Sequence, residues 1–545
     1  MKDTIQEDII KLITGALADL GIDNVLPEQV RLDIPEDLRF GDFSTNIALR
    51  LSRELKTPAD KLASEILSNL NLKLDKMPLA ELIREIKVAG KGFINFYLSD
   101  QYLYQKLNDI VAKGIASLRL NLGMDRQVLI EFVSANPTGS LSVAHARQAA
   151  VGDALCSILK FLHFKVTKEY YLNDEGNQIA ILGNSVNLRI KELSGERIEF
   201  PENYYQGGYI YDIAKEAKQR GLQEKDLSDF SSQYILDIIK KELDDFGVKF
   251  DSWYSQKELN KSGKIEEALN ALKKKGLSYD QEGALWFKST LFGDDKDRVL
   301  IKSDGSYTYL SPDIAYHDDK YKRGFDWLIN LWGPDHHGYI NRLKASVEAF
   351  GRDPNSLSVL IVQLATIFRD GKPVQMSTRR AEYITLREVL EEVGKDASRF
   401  FFLSRRISSH LDFDLNVAKK QNAENPVFYI QYAYARINSI LKNSPIRLGG
   451  KVELSLLKEE EERALIKKLL QFPYMLTICL NTQDPYMLTV YLQGLAEAFH
   501  KFYDLHRVLT EEENLTKARL YLIEAVRIVI GAALDLLGIS CPKEM

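Results

Sequence analysis

Three stretches of the chain carry side chains suited to chemistry on a phosphate or a cation. In the first, QVLIEFVS runs into the polar turn ANPTGS, and a helical pattern follows with Ala144 and His145 near its start. Asn136, Pro137, Thr138 and Gly139 bring little side-chain bulk, so backbone or ligand can approach closely. A helix N-terminus offers unpaired N–H groups and partial positive charge, which suits phosphate. His145 could donate to an anionic oxygen as charge develops at a reacting phosphorus; the plainer reading is that it caps a packed helix. The second stretch is DGKPVQMSTRRAEYITLREVL, from Asp370. Lys372, Arg379 and Arg380 are cations and Ser377 carries a hydroxyl, groups that can meet a phosphate; standing alone, the stretch reads better as a solvated basic loop. The third is SYTYLSPDIAYHDDKY, where Tyr309 and Asp313 stand four residues apart and share one face of a helical turn. The plain alternatives are core packing for Tyr309 and helix capping for Asp313 after Ser311-Pro312.

GPDHHGYINRL, residues 333–343, has the look of a metal site, but only two adjacent histidines and one acid are present. Neighbours on a helix do not face one way, so a zinc site is not expected.

The elements that must hold these residues follow from periodicity. Ile5, Ile9, Leu12, Ile13, Leu17 and Leu20 predict an amphipathic helix that stops at Gly21. VRLDIP and REIKVAGKGFINFYL predict strands, the later one holding a turn at Gly90-Lys91-Gly92. Residues 1–110 thus form a small α+β domain. From Gln127 the order is strand, polar loop, helix to about Lys160, and second strand FKVTKEYYL, the start of a doubly wound α/β fold. That fold spans about 120–385, with charged, mixed insertions at about 185–290; its later strands are FDWLINLWGPDHHGYI and SVLIVQLATIF. From Leu386 to the end at residue 545, LREVLEEVG, DASRFFFLSRR, NPVFYIQYAYARINSIL, EERALIKKLLQF and ARLYLIEAVRIVIGAALDLLG predict an all-α helical bundle.

With 545 residues, the chain is too long for one compact core. Its 45% hydrophobic and 27% charged residues are ordinary for a globular protein. The net charge of −5 argues mildly against non-specific coating of nucleic acid and leaves local basic patches open. No apolar run is long enough to span a bilayer, and the acids of MKDTIQEDII do not suit a secretory signal. Cys156, Cys479 and Cys541 are far apart and form no disulfide framework or zinc spacing, which predicts a reducing cytoplasm.

Taken together, these segments resemble the arginyl-tRNA synthetases of class I, in order and over nearly the whole chain. IEFVSANPTGSLSVAHARQAAVGDAL resembles the HIGH motif in its arginyl form, with Ser142 where the first histidine is usual and Ala144 where the glycine is usual. VQMSTRR resembles the KMSKS loop: Met376 and Ser377 match, while Gln375, Thr378 and Arg379 depart. RFGDFSTNIALRL resembles the N-terminal extra domain that contacts the tRNA elbow; HLDFDLNVAKKQNAENPVFYIQYAYARI resembles the start of the anticodon-binding helical domain.

The resemblance implies a Rossmann-like catalytic domain with insertions between those two. It also implies an arginine--tRNA ligase that makes arginyl-adenylate from ATP and L-arginine and transfers arginine to tRNA(Arg). Catalysis would involve His145, Ser142, Met376, Ser377 and Arg379. A guanidinium has five donors in a planar fork and wants a carboxylate. Asp313 with Tyr309 matches the family's side-chain site, and Glu131, Ser134 and Asn136 match the arginine-binding positions. Gly139, Ala144, His145, Gly333, Asp335, His336, His337 and Ser377 would line ATP. Tyr429, Tyr432, Arg436, Lys419 and Lys420 would touch tRNA by stacking and phosphate contact. Mg2+ would accompany ATP, with no organic cofactor, no protein metal site and no membrane. A monomer is usual in the family, and tRNA is usually needed for the first step. Two alternatives stay open: a class I synthetase for another amino acid, and a tRNA-binding paralogue without charging activity, for which the altered motif residues speak.

Overall fold

The computed structural model describes residues 5–35, 37–374 and 383–545. Helix α1 (Ile5–Asp19) buries Ile9, Leu12, Ile13, Ala16 and Leu17, the face its spacing predicts. The chain then adds β1 (Phe43–Thr45), α2 (Ile47–Glu54), α3 (Ala59–Leu74), β2 (Ile83–Ala89) and β3 (Phe93–Leu98). The three strands form an antiparallel sheet in the order β1-β3-β2, with the Gly90–Gly92 turn joining β2 to β3. The expected strand VRLDIP is not one: only Asp33 bridges to Ser44. Pro35, which has no N–H, follows two residues later and stops the ladder. Helix α4 (Asp100–Lys113), capped by Ser99 accepting from the Tyr102 N–H, leads onward.

The central unit begins with β4 (Gln127–Glu131), α5 (Val143–Phe161) and β5 (Lys165–Leu172). The helical insertion α6 (Asn177–Glu192), α7 (Tyr209–Gln219) and α8 (Leu227–Asp245) precedes β6 (Ser252–Ser255). Then come α9 (Gln256–Lys261), α10 (Lys264–Lys274) and a separate antiparallel sheet of β7 (Ser278–Gln281), β8 (Ala284–Phe287) and β9 (Arg298–Ile301). The chain returns through α11 (Leu310–Lys322), β10 (Trp327–Trp332), α12 (Ile340–Ala349) and β11 (Leu357–Ile361). The main sheet is wholly parallel, in the order β11-β10-β4-β5-β6. From β4 the chain winds one way to β6, then comes back to β10 and winds the other way. The order therefore reverses between β4 and β10, and the crevice beyond the C-terminal ends of those strands is where such sheets bind ligands.

Helix α5 is buried on nearly every side, which explains its small residues. A Cβ on Gly152 would stand 2.4 Å from the Phe132 ring, so only glycine lets the helix sit this close to the end of β4.

SVLIVQLATIF divides between two sheets. β11 stays in the main sheet, while β12 (Ala365–Arg369) joins β13 (Lys372–Pro373) and β14 (Leu411–Asp414) in a small one. Between them the buried Arg147 donates to the carbonyls of Gln363 and Leu364, at 2.7 and 3.3 Å, and the Leu364 carbonyl also accepts the Leu411 N–H that begins the small sheet. The two helices expected around Gly394 are both present and run on as α13 (Leu386–Leu403), broken by a kink where Gly394 leaves helical geometry at φ 78°. The helical region continues with α14 (Leu415–Ala418), α15 (Pro426–Asn443), α16 (Glu460–Leu470), α17 (Phe472–Thr482), α18 (Tyr486–Leu505) and α19 (Glu513–Leu536). Among the described residues no helix is long and apolar enough to cross a membrane.

Candidate active site at the reversal point of the sheet

Strand β4 ends at Glu131, and the backbone then turns through two left-handed residues, Val133 (φ 68°) and Ser134 (φ 41°). For a β-branched valine this is strained, at about 1–3 kcal/mol per residue. The turn aims the Ser134 hydroxyl back at Glu131 Oε1, 3.3 Å away, while Ser134 Oγ accepts the Tyr171 N–H. Asn136 follows and donates to Gln178 Oε1 at 2.7 Å, at the start of α6.

The next stretch is gripped from two sides. Tyr209, on α7, donates to the Thr138 carbonyl at 2.7 Å, and Tyr383 donates to the Ser140 carbonyl at 2.9 Å. Both hydroxyls stand over Gly139, where a side chain would crowd them. Leu386 N–H donates to Leu141 O and Val143 N–H to Ile384 O. The segment just after the basic loop is thus bonded directly to the loop that precedes α5. The basic loop itself, with Gln375, Met376, Ser377, Thr378, Arg379 and Arg380, lies outside the described residues.

Ser142 is the N-cap of α5 and His145 its third residue. The Ser142 N–H donates to His145 Nδ1 at 3.2 Å, and Ser142 Oγ is 3.1 Å from the same nitrogen. Burial pushes the imidazole down to about 4, so it is neutral at physiological pH. With Nδ1 accepting, the ring proton sits on Nε2, which becomes the donor. Ala144 is half-buried beside it. Gly333, after β10, faces this helix: a Cβ there would be 3.9 Å from Gln148 Nε2. Asp335, His336 and His337 follow on an exposed 3-10 turn, Pro334–Tyr339, with the His336 ring 5.8 Å from that of Trp332. Among the described residues no group of three or more His, Cys, Asp or Glu could hold a metal ion.

Across the crevice, Asp313 sits in the first turn of α11. Burial first, and the nearby Glu131 charge second, push its carboxyl up to about 7; the Tyr339 hydroxyl and Lys320 pull the other way. Among the described residues it has no ion-pair partner. Tyr309 is the residue before the helix and is 85% exposed, so the shared spacing does not bring it into the enclosed part of the crevice.

Sequence reasoning missed several groups here: Tyr171, Tyr339, Tyr209 and Tyr383, and on α11 His317, Lys320 and Arg323. The α11 residues were findable, since Asp313, His317 and Lys320 keep i, i+4, i+7 spacing. Tyr209 and Tyr383 act across long sequence separations, and no local pattern marks them.

Residues 106–404 match the family model for the catalytic domain of class I (R) tRNA synthetases, residues 7–98 the arginyl-tRNA synthetase N-terminal domain, and residues 430–545 the DALR anticodon-binding domain. The chain is 45% identical to the arginine--tRNA ligase of Geobacter sp. (strain M21), with all of both chains covered. It is also 45% identical to that of Geobacillus kaustophilus (strain HTA426), covering 100% of this chain and 99% of the relative. The chain belongs to the arginyl-tRNA synthetase family. It is an arginine--tRNA ligase of class I, and ATP is its nucleotide substrate. An arginyl-tRNA synthetase from Thermus thermophilus shares the fold, with TM-score 0.79 at 22% identity, covering 99% of this chain and 100% of that one.

In the helical region, the residues that the sequence marks as tRNA contacts fall into three places. Tyr432 and Arg436 line a cleft of about 1170 Å³ together with Arg447, Tyr503, Arg527 and Lys543. Arg436 lies between two rings, its guanidinium carbon 4.6 Å from the Tyr432 centre and 4.4 Å from that of Tyr503. Tyr429 instead packs on His500, ring centres 4.3 Å apart. Lys419 and Lys420 line a separate, smaller cleft, where Lys419 pairs with Glu392 at 2.6 Å and Lys420 with Glu424.

Proposed function

We propose that arginine activation takes place in the crevice between β4 and β10, with Asp313 receiving the guanidinium. The observation that carries this is an enclosed carboxylate that makes no ion pair among the described residues, at the ligand-binding edge of the sheet. Glu131 takes the substrate's α-ammonium, oriented by Ser134, and Asn136 lies at the carboxylate end. Tyr309, on the rim, covers the side chain from solvent.

The nucleotide lies over the N-terminus of α5, along Gly139, Ala144 and Gly333, with Asp335, His336 and His337 at its edge. The arginine carboxylate attacks the α-phosphorus of ATP and pyrophosphate leaves. The terminal ribose hydroxyl of tRNA then attacks the adenylate carbonyl and AMP leaves. No protein nucleophile enters. Positioning and charge stabilisation do the work, with neutral His145 donating from Nε2 and Ser142 fixing that tautomer. Met376, Ser377 and Arg379 are assigned to the loop that meets the leaving pyrophosphate, and Mg2+ enters with the nucleotide's phosphates.

The tRNA anticodon end is assigned to the cleft of Tyr432 and Arg436, with Lys419, Lys420 and Tyr429 as outer contacts. The working unit is proposed as a monomer. The N-terminal and helical regions already meet in one copy, through Tyr104 to the Leu457 carbonyl and Arg463 to Asp100; sedimentation tests this. The proposed compartment is the cytoplasm, in keeping with three free cysteines.

The test is charging of tRNA with each amino acid offered singly, for wild type and Asp313→Asn. Arginine alone should be charged by wild type, and the variant should lose it. Unchanged arginine selectivity in Asp313→Asn would sink the assignment. Pyrophosphate exchange with and without tRNA tests the expected need for tRNA in the first step; full-rate exchange in its absence refutes that need.

A further inference from the structure

The main sheet ends in a polar row. In register, Asn330 stands opposite Glu131, Glu131 opposite Glu169, and Glu169 opposite Ser252. Parallel strands buried on both faces are normally apolar, and such a row is costly unless every group is matched. Helix α11 matches it. Its residues 313, 317 and 320 fall at i, i+4, i+7, and so do 316, 320 and 323.

Arg323 forks onto both oxygens of Glu169, at 2.6 and 2.8 Å, while the Tyr316 hydroxyl donates to Glu169 Oε1 and Ser252 Oγ donates to Oε2. Lys320 is fully buried. Its ammonium lies 2.6 Å from Glu131 Oε2, 3.2 Å from Asn330 Oδ1 and 4.1 Å from the Tyr316 ring centre. Asn330 turns its amide N–H₂ to His317 Nε2 at 2.8 Å. With Nε2 accepting, His317 Nδ1–H donates to the Asp313 carbonyl at 2.8 Å. One chain of bonds thus runs from Glu131 through Lys320, Asn330 and His317 to the turn that carries Asp313. Burial keeps His317 neutral, so Lys320 is the one cation in that chain.

We propose that Lys320 is a positioning residue of the amino-acid pocket: it fixes the direction and the charge of Glu131 for the substrate ammonium, and leaves Asp313 free to meet the guanidinium. The proposal rests on the assignment of Glu131 to that ammonium. A buried Lys–Glu pair is weak evidence for stability. Here each remaining polar group is satisfied, and Glu131 is the last residue of β4, at the point where the strand order reverses.

The test uses the full chain and pyrophosphate exchange in the presence of tRNA. Lys320→Met should raise the KM for arginine by about 10- to 100-fold, the worth of a hydrogen bond to a charged group, with the KM for ATP nearly unchanged. Loss of the ammonium leaves a buried carboxylate without its cation, so the arginine KM of the variant should fall more steeply than that of wild type as pH is raised. Lys320→Arg, which keeps the charge, should recover much of the loss. A merely structural lysine would lower thermal stability and the yield of active enzyme while leaving both KM values and the pH profile in place, and that result overturns the proposal.

Two further variants separate its failure from that of the Glu131 assignment. Glu131→Gln should raise the arginine KM; if it does not, the assignment fails. If it does and Lys320→Met does not, only the lysine proposal fails. Should Lys320→Met not fold, Lys320→Met/Glu131→Gln leaves no unpaired buried charge. That double variant should match Glu131→Gln alone, and any further loss in arginine KM would sink the idea that the lysine acts through Glu131.

Discussion

Two carboxylates, Asp153 on α5 and Asp313 on α11, are treated in opposite ways. Asp153, on α5, is met by two cations: Arg399 Nη2 at 2.6 Å, and Lys168. Burial pushes its carboxyl up, but the two cations outweigh burial and hold it below the ordinary aspartate range. Arg399 also donates to the carbonyls of Leu537 and Phe246, tying the end of α19 and the end of α8 to the Rossmann helix. A Cβ on Gly538 would stand 2.4 Å from Arg399 Nη2, so glycine is required there for the arginine to pass. Asp313 has no such partner among the described residues and is raised to about 7. The first carboxylate is complete and holds regions together. The second is incomplete, which is the condition of a receptor for a cation.

The largest effects should come from removing each charge in turn. Asp313→Asn should lower kcat/KM for arginine by about 30- to 4000-fold, since a buried charged pair is worth about 2–5 kcal/mol and its loss leaves the guanidinium unpaired. Its thermal stability should hold or rise. Asp153→Asn should do the reverse, costing about 3–5 kcal/mol of stability by leaving Arg399 and Lys168 without their carboxylate, while the arginine KM of the folded fraction stays near wild type. Urea unfolding and steady-state kinetics on both variants decide it. Matching profiles would erase the distinction.

The next effect is on pH. Asp313 binds its proton more tightly folded than unfolded, where an aspartate titrates near about 3.9. Its contribution to stability is therefore fullest below that value and declines as pH rises toward about 7. Asp153 contributes in the other direction: its stabilisation is present above the unfolded value and is lost as pH falls through the lowered folded value. Because the guanidinium needs the ionised form of Asp313, arginine and the proton compete. The arginine KM should rise by about tenfold between pH 8 and pH 6, with the ATP KM far flatter. The groups facing Asp313 are Glu131, Lys320, Tyr171 and Tyr339. Burial holds the protons on the two tyrosines across this window, and the Asp313 carboxyl is the group raised into it. A flat arginine KM over that range would contradict the open-receptor reading.

A smaller effect should follow from Ser142→Ala. The backbone N–H of residue 142 still reaches His145 Nδ1, so the tautomer persists and only the hydroxyl contact is lost. A fall in kcat of about 3- to 10-fold fits one neutral hydrogen bond. No change would give the whole task to the backbone.

Much of this was legible in the sequence where the signal is local. The strand–turn–helix around Asn136 and His145, the parallel α/β order and the helical last third all follow from spacing and composition. The side of α11 that carries Lys320 and Arg323 shows as i, i+4, i+7 in DIAYHDDKYKRG, but its partners Glu131 and Glu169 lie far away in sequence, so spacing alone does not say what it faces. VRLDIP has strand composition but gains no ladder, and SVLIVQLATIF reads as one strand although Arg147, some 215 residues earlier, takes the carbonyls at its middle. Only the tertiary partner decides such cases.

Tyr309 makes the finest test of the contrast. It has the spacing of a pocket residue and the exposure of a rim residue, at 85%. If the enclosed carboxylate supplies most of the binding, the tyrosine hydroxyl in water adds little, since an exposed hydrogen bond exchanges for one to solvent. Tyr309→Phe should then change the arginine KM by less than about threefold. Tyr309→Ala, which also removes the ring that covers the side chain, should cost somewhat more. A loss in Tyr309→Phe comparable to that of Asp313→Asn would mean that the segment before α11 folds inward around the ligand. The receptor would then be completed by binding rather than standing open beforehand.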